Sequence, residues 1–224
     1  EDERLLAAVP IRMEAWAAAR GATTTAAGSS LAMSGPGFEC RVRTARVDLA
    51  SLWQTASQDG VFDGRAFVTA SALLDLVSEA WLDGLADACR AARATVLFAL
   101  TYDGRVAGVP ELPDDVMVWD LVNRHQRTDK GFGSALGPTA AMRAAAAFGR
   151  RGYQVRTAAS DWVVGPGEPA LQHALIDGWA EAAAALAPRE VTRIERWRRT
   201  RRAAVDEGRL TLTVGHQDVA GWLA

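Results

Sequence analysis

The sequence predicts an α/β protein built on a largely parallel sheet, and three observations carry the prediction. Ala66-Phe67-Val68-Thr69-Ala70 and Thr95-Val96-Leu97-Phe98-Ala99-Leu100-Thr101 are apolar runs without polar alternation, the pattern of strands buried on both faces. A helix-like run, Glu79 to Arg93, lies between them, which makes a parallel βαβ unit. The carboxyl ends of the two strands then carry Ser71, Asp75, Tyr102 and Asp103, and in such sheets ligands bind outside those ends.

The other elements follow in chain order. Acids at Glu1-Asp2-Glu3 ahead of Leu5, Leu6, Val9, Met13 and Trp16 start a helix that fades by Gly21, because a negative first turn suits the positive end of the dipole. Residues 21–37 are rich in Thr, Gly and Ser and read as a loop with at most a short strand at Ser30 to Met33. Phe38 to Val47 alternates as a strand that Asp48-Leu49-Ala50 ends. Helical spacing surrounds Leu52 and Trp53, and Asp59-Gly60 is a turn. Beyond the βαβ unit, Pro110 to Pro113 is a loop, and Asp114 to Val122 an acid-capped helix. Asn123 to Pro138 is polar, broken by Gly and Pro, and reads as a loop. Thr139 to Arg151 is helix, Tyr153 to Ala158 strand, Gly165-Pro166-Gly167 turn and Glu168 to Leu186 helix. A further helix runs from Pro188 to about Val205, and Leu210 to Val214 is a strand before a short tail. With no internal repeat and no long linker, residues 1–224 read as one domain.

Composition narrows the function classes. A chain of 224 residues with 49% apolar residues and mean hydropathy −0.02 has enough material for a full core and is not a disordered tail. A net charge of −2 supplies no field for nucleic acid or an anionic membrane, and no apolar run approaches a membrane span. Cys40 and Cys89, far apart in sequence, make no disulfide framework and fit a reducing cytoplasm. Three histidines and two separated cysteines are a poor supply of metal ligands. No Walker loop, His-Glu-x-x-His or Gly-x-Ser-x-Gly pattern occurs.

Candidate site residues are weighed against plainer roles. The segment Asn123-Arg124-His125-Gln126-Arg127-Thr128-Asp129-Lys130-Gly131-Phe132-Gly133 gathers amide, imidazole, guanidinium and the chain's sole ammonium after the second central strand. Such a stretch is ordinarily a solvated loop, but loops over strand ends are where binding groups sit. Asp48 after a strand serves more often as a helix N-cap than as a ligand contact, and capping competes equally with a site role for Asp75 and Ser78. The seven arginines of Arg189 to Arg202 suggest RNA, yet Glu190 and Glu195 interleave while Val191, Ile194 and Trp197 make an apolar stripe. An amphipathic packing helix is the better reading.

Val68 to Asp75 (Val-Thr-Ala-Ser-Ala-Leu-Leu-Asp) and His125 to Pro138 (His-Gln-x-x-Asp-Lys-Gly-Phe-Gly-x-Ala-Leu-Gly-Pro) together resemble the class I S-adenosylmethionine-dependent methyltransferases, in an uncharacterised bacterial subgroup. The likeness runs from about Asp2 to Leu186. It implies a Rossmann-like methyltransferase sheet, mostly parallel with an antiparallel C-terminal strand, and S-adenosyl-L-methionine as cofactor. It also implies that Glu1 lies beyond the family's first strand and most of its second, so that the glycine-rich cofactor loop is lacking and the chain alone is expected to be inactive. By position, Glu1 or Asp2 resembles the ribose acid, Asp48 and Leu49 the pair lining adenine, and Ser71, Ala72 and Leu73 the turn under the sulfonium. His125 is then the expected general base. Asp75, Tyr102, Asn123, Arg124, Gln126 and Lys130 form the expected acceptor side, with Arg124 and Lys130 gripping an anionic group. The expected partner is a small molecule, with nucleic acid and membrane disfavoured and a homodimer anticipated through an unpaired sheet edge. Competing expectations are an RNA methyltransferase using Arg189 to Arg202, a non-catalytic methyltransferase-like partner subunit and, more weakly, a nicotinamide dehydrogenase.

Overall fold

Glu3 does open a helix: α1 spans Glu3–Ala18, with the acid in its first turn. The structure, a computed structural model, describes residues 3–28, 30–53 and 61–224; Glu1, Asp2 and the expected turn at Asp59-Gly60 lie outside them. The chain divides into two compact units, Glu1–Leu52 and Trp53–Ala224.

In the first unit α1 is followed by β1 (Thr23–Ala27), β2 (Ser30–Gly35) and β3 (Phe38–Arg43), an antiparallel meander in that order. Residues 21–37 are therefore mostly strand and not loop. Threonines suit strands, and Gly28 and Gly37 sit at φ 58° and 82° in the two reversals, so the glycines that suggested a loop belong to hairpin turns. Leu31 and Met33 alternate inward beside Ala17, as a strand with one buried face requires. β3 stops at Arg43, and residues 49–53 form turns where helical spacing suggested a helix.

The second unit holds β4 (Phe67–Ser71), α2 (Glu79–Ala92), β5 (Thr95–Val109), α3 (Asp115–His125), α4 (Ala140–Arg150), β6 (Gln154–Ala159), β7 (Trp162–Val164), α5 (Pro169–Leu186), α6 (Val191–Asp206) and β8 (Thr211–Trp222). β4 and β5 pair in parallel, Phe67 opposite Thr95 through Ser71 opposite Ala99. β8 inserts between β5 and β6, antiparallel to both, and β7 continues along β8 beyond β6. The sheet is thus mixed: β4, β5, β6 and β7 run one way and the C-terminal strand runs against them.

Two strands outrun the sequence reading. β5 does not close at Tyr102-Asp103-Gly104 but continues to Val109. Its register against β8 shifts between Phe98 and Thr101 and again between Tyr102 and Val106, so the Asp-Gly pair that suggested a turn sits in a bulged stretch, with Gly104 at φ 88°. β8 continues past Val214 to Trp222. Gly215 belongs to that continuation because a Cβ there would come within 2.7 Å of Arg105 Cβ.

On one side of the sheet Trp81, Leu82 and Leu85 of α2 and Phe148 of α4 are buried, as are Val96 and Phe98 of β5. A second core joins Tyr102, Leu212 and Val214 to Val118, Ile176, Ile194 and Trp197 of α3, α5 and α6. On the arginine-rich α6, Ile194 and Trp197 are buried and Val191 is exposed. Its cations pair with acids of other helices: Arg193 with Asp114 at 2.6 Å, Arg198 and Arg202 with Asp177 at 2.7 and 2.6 Å. Among the described residues no helix is long and apolar enough to cross a membrane.

Candidate functional site

β4 ends at Ser71, and the turn beyond it is shaped by a left-handed Ala72 at φ 52° whose N–H donates to Ala99 O at 3.1 Å. Leu74 and Val77 are buried and anchor this turn, leaving Ser71 and Ala72 exposed and Leu73 half-buried. Ser78 caps α2, its hydroxyl accepting from Trp81 N at 3.3 Å. Asp75 makes no such cap. It is 7% exposed, and its Oδ1 is buried without a hydrogen-bond partner. Gly137 N donates to Asp75 O and Leu136 N to Val77 O, each at 2.9 Å, so residues 136–137 strap the turn from outside.

Burial pushes the Asp75 carboxyl above the usual carboxylate range, partly opposed by its own backbone N–H, then by His216 and the backbone N–H of Tyr102. Tyr102 and His216 face each other across β5 and β8, ring centroids 6.2 Å apart. The Tyr102 hydroxyl donates to Asn123 Oδ1 at 2.8 Å, and Asn123 Nδ2 donates to Gly104 O at 2.9 Å. Burial, reinforced by Asp103 and Asp75, holds the Tyr102 phenol well above its ordinary pKa. His216 is 7% exposed, with Nδ1 3.0 Å from Val214 O. A carbonyl only accepts, so Nδ1 carries a hydrogen. The Trp162 ring lies 4.8 Å from the imidazole, and Asp161, paired with Arg105, accepts from His216 N at 3.2 Å.

α3 runs through Asn123, Arg124 and His125, so these three are helical and the loop begins only at Gln126. Polar residues hid the last turn: Asn123 bonds back to the sheet, while Arg124 and His125 suit the negative end of the helix dipole. His125 is half-buried with Lys130 Nζ 3.3 Å from its Nδ1, and Lys130 also donates to Thr128 Oγ1 at 3.1 Å. An ammonium only donates, so here Nδ1 accepts and a neutral ring carries its hydrogen on Nε2. Burial, then the Lys130 charge, lowers the His125 pKa. Asp129 Oδ1 accepts from Gly131 N and Gly133 N at 2.7 and 3.0 Å, and Phe132 meets Trp81 edge-on at 5.8 Å.

The structure therefore joins Tyr102 with Asn123 and His216, and sets Ser71, Ala72 and Leu73 in the same turn as Asp75. His125, Thr128 and Lys130 form a separate group, and no hydrogen bond links the two groups among the described residues. The side chains of Arg124 (exposed) and Gln126 (half-buried) make no hydrogen bond there either. In the first unit, Asp48 is exposed and accepts from Ser51 Oγ at 2.8 Å and Ala50 N at 3.0 Å, contacts that lower its pKa, and Leu49 beside it is 38% exposed. His216 escaped the sequence reading because it follows Gly215, where the strand was ended. Its only signal was being one of three histidines. Among the described residues no cluster of His, Cys, Asp or Glu is arranged to hold a metal. A shallow concavity of about 320 Å3 lies on the meander of the first unit, against Thr25, Met33, Glu39 and Arg41.

The Asp75 carboxyl has a measurable signature. A raised native pKa means its contribution to stability is full below the unfolded carboxylate value and is lost as pH rises through the native one. Asp75→Asn is therefore expected to stabilise the fold at pH 7 by about 1 kcal/mol, the order of an orphaned buried acceptor. The gain should vanish near pH 3. Thermal melts at both pH values check this, and a variant less stable at pH 7 would contradict it.

No protein-family model matches the chain, and no curated protein matches it.

Proposed function

We propose that this protein transfers a methyl group from S-adenosyl-L-methionine to a small-molecule acceptor, on a Rossmann-like class I methyltransferase sheet. Beyond the resemblance of Val68–Asp75 and His125–Pro138, one observation supports the reading most. At the carboxyl end of β4, a turn exposed at Ser71 and Ala72 leads into the buried acid Asp75. Two non-glycine residues, Ala72 in that turn and Leu100 in β5, hold left-handed backbone at φ 52° and 54°, and such strain gathers at ligand sites.

In this reading Ser71, Ala72 and Leu73 run under the sulfonium. The acceptor's lone pair forms a bond to the methyl carbon as the carbon–sulfur pair returns to sulfur, leaving a neutral thioether. The protein's work is to align the three atoms and exclude water. His125 acts as base only if Lys130 withdraws from Nδ1; with Lys130 in place its Nε2–H donates a hydrogen bond instead. Arg124 and Lys130 serve an anionic part of the acceptor.

Calorimetry with S-adenosylmethionine on the full-length gene product tests the assignment. Saturable binding is expected, and its absence would leave the non-catalytic partner subunit as the better reading. If turnover is found and His125→Ala leaves it unchanged across pH, His125 has no part in it. The RNA alternative loses support from the acids that neutralise Arg193, Arg198 and Arg202; salt-dependent tRNA binding would revive it.

A further inference from the structure

We infer that Asp218 is a positioning residue: from the C-terminal strand it fixes the backbone of the Ser71–Leu73 turn through one clamped peptide. That this turn receives S-adenosylmethionine rests on the methyl-transfer reading; the clamp does not. The place is the first register shift of β5. Phe98 faces Val219 and Thr101 faces Gln217, so two residues, Ala99 and Leu100, stand opposite one, Asp218. Such a bulge leaves a backbone group without its ladder partner. Here a side chain replaces that partner, because Leu100 N donates to Asp218 Oδ1 at 2.9 Å. The same oxygen accepts from Ser160 Oγ at 2.7 Å, just past the end of β6.

The other side of that peptide meets the turn. Ala99 O accepts from Ala72 N at 3.1 Å. The Ala99–Leu100 peptide is therefore held by its N–H from β8 and by its C=O from the turn after β4. Both flanking residues are left-handed, Ala72 at φ 52° and Leu100 at φ 54°, a conformation that persists in such residues only where the surroundings fix it. A peptide unit is planar, so its N–H and C=O turn together. Without Asp218, Leu100 N would lose its acceptor, the peptide would be free to rotate, and Ala99 O would turn away from Ala72. Ser71 and Ala72 are exposed, so the clamp shapes a surface that a ligand can meet. Asp218 lies outside Asp2 to Leu186, the stretch that carries the family resemblance, which therefore gives it no role.

Two measurements on the full-length gene product test this: the Ala72 amide signal in proton–nitrogen spectra, and S-adenosylmethionine affinity by calorimetry. Asp218→Ala is expected to shift the Ala72 amide and to weaken binding by about tenfold, the scale of a lost hydrogen bond to a charged group. Asp218→Asn keeps a carbonyl oxygen where Leu100 N needs one and should restore most of both. Ser160→Ala, the milder change, should weaken binding about threefold; it stands in if Asp218→Ala does not fold. Tyr153→Phe removes the hydrogen bond to Ala94 O at the start of β5 and should leave both readings as in the native protein. A purely structural role for Asp218 would make these two variants alike. An unmoved Ala72 amide or unchanged affinity in a folded Asp218→Ala or its stand-in, or no rescue by Asp218→Asn, overturns the inference. If the native protein binds no S-adenosylmethionine, the methyl-transfer reading fails while the Ala72 amide still decides the clamp. If it binds and Asp218→Ala changes nothing, only the clamp fails.

Discussion

Arg201→Ala is expected to lower the stability of the second unit by about 3–5 kcal/mol, the range for removing one partner of a buried ion pair. Arg201 is 1% exposed and Asp115 3%. The guanidinium makes a short ion pair with Asp115 Oδ2, and its Nε reaches Oδ1 at 3.2 Å. Its Nη1 donates to Pro110 O at 2.6 Å, which fastens α6 to the chain leaving β5. Asp115 also accepts from Trp197 Nε1 at 2.7 Å and Leu112 N at 2.8 Å. Without the arginine, a buried carboxylate would keep two neutral donors and no counter-charge. The packing is close on the strand side as well, since a Cβ on Gly108 would fall 2.8 Å from Arg201 Nη2. Arg201→Met combined with Asp115→Asn should lose less than the two single changes added together, because the pair acts as a unit. Urea denaturation of the four proteins measures this. A loss below about 1 kcal/mol for Arg201→Ala, the ceiling for an exposed pair, would show that the pair is not buried in solution.

Phe148→Ala is the second large effect, also about 3–5 kcal/mol, from lost burial and the cavity left behind. The ring is fully buried, with centroids 5.5 Å from Phe98 and 5.1 Å from Tyr153 in an edge arrangement. Tyr153 in turn donates to Ala94 O at 2.8 Å, next to the start of β5. Truncating Phe148 therefore empties the space between α4 and the sheet and frees the ring that holds Ala94. Phe148→Leu keeps much of the volume and should cost clearly less, and the difference between the two in denaturant midpoint checks the mechanism. Equal losses would mean that aromatic geometry, and not volume, carries the contact.

Legibility followed the length and purity of each pattern. β4, α2, the first half of β5, α4, α5 and α6 were readable because each is a run of one period bounded by a cap or a glycine. β1 and β2 were not, since short threonine-rich strands joined by Gly turns share a loop's composition. The second halves of β5 and β8 were lost at Asp103-Gly104 and Gly215, where glycine marks a bulge or a close approach that single-chain patterns cannot tell from a reversal. Asn123 and His125 were mistaken for loop residues because polar side chains at a helix end carry no apolar period.

For the candidate site, the sequence by itself supplied Ser71, Asp75, Tyr102 and Asn123, because the polar residues that follow an apolar run can be counted along one chain, although Tyr102 stands inside β5 and not at its end. Only the tertiary structure brought His216 beside Tyr102 and showed Asp75 Oδ1 unpartnered, while Lys130 took up the His125 lone pair. Cross-strand pairing joins residues more than a hundred positions apart, and whether a polar atom finds a partner depends on everything that surrounds it, neither of which local spacing encodes.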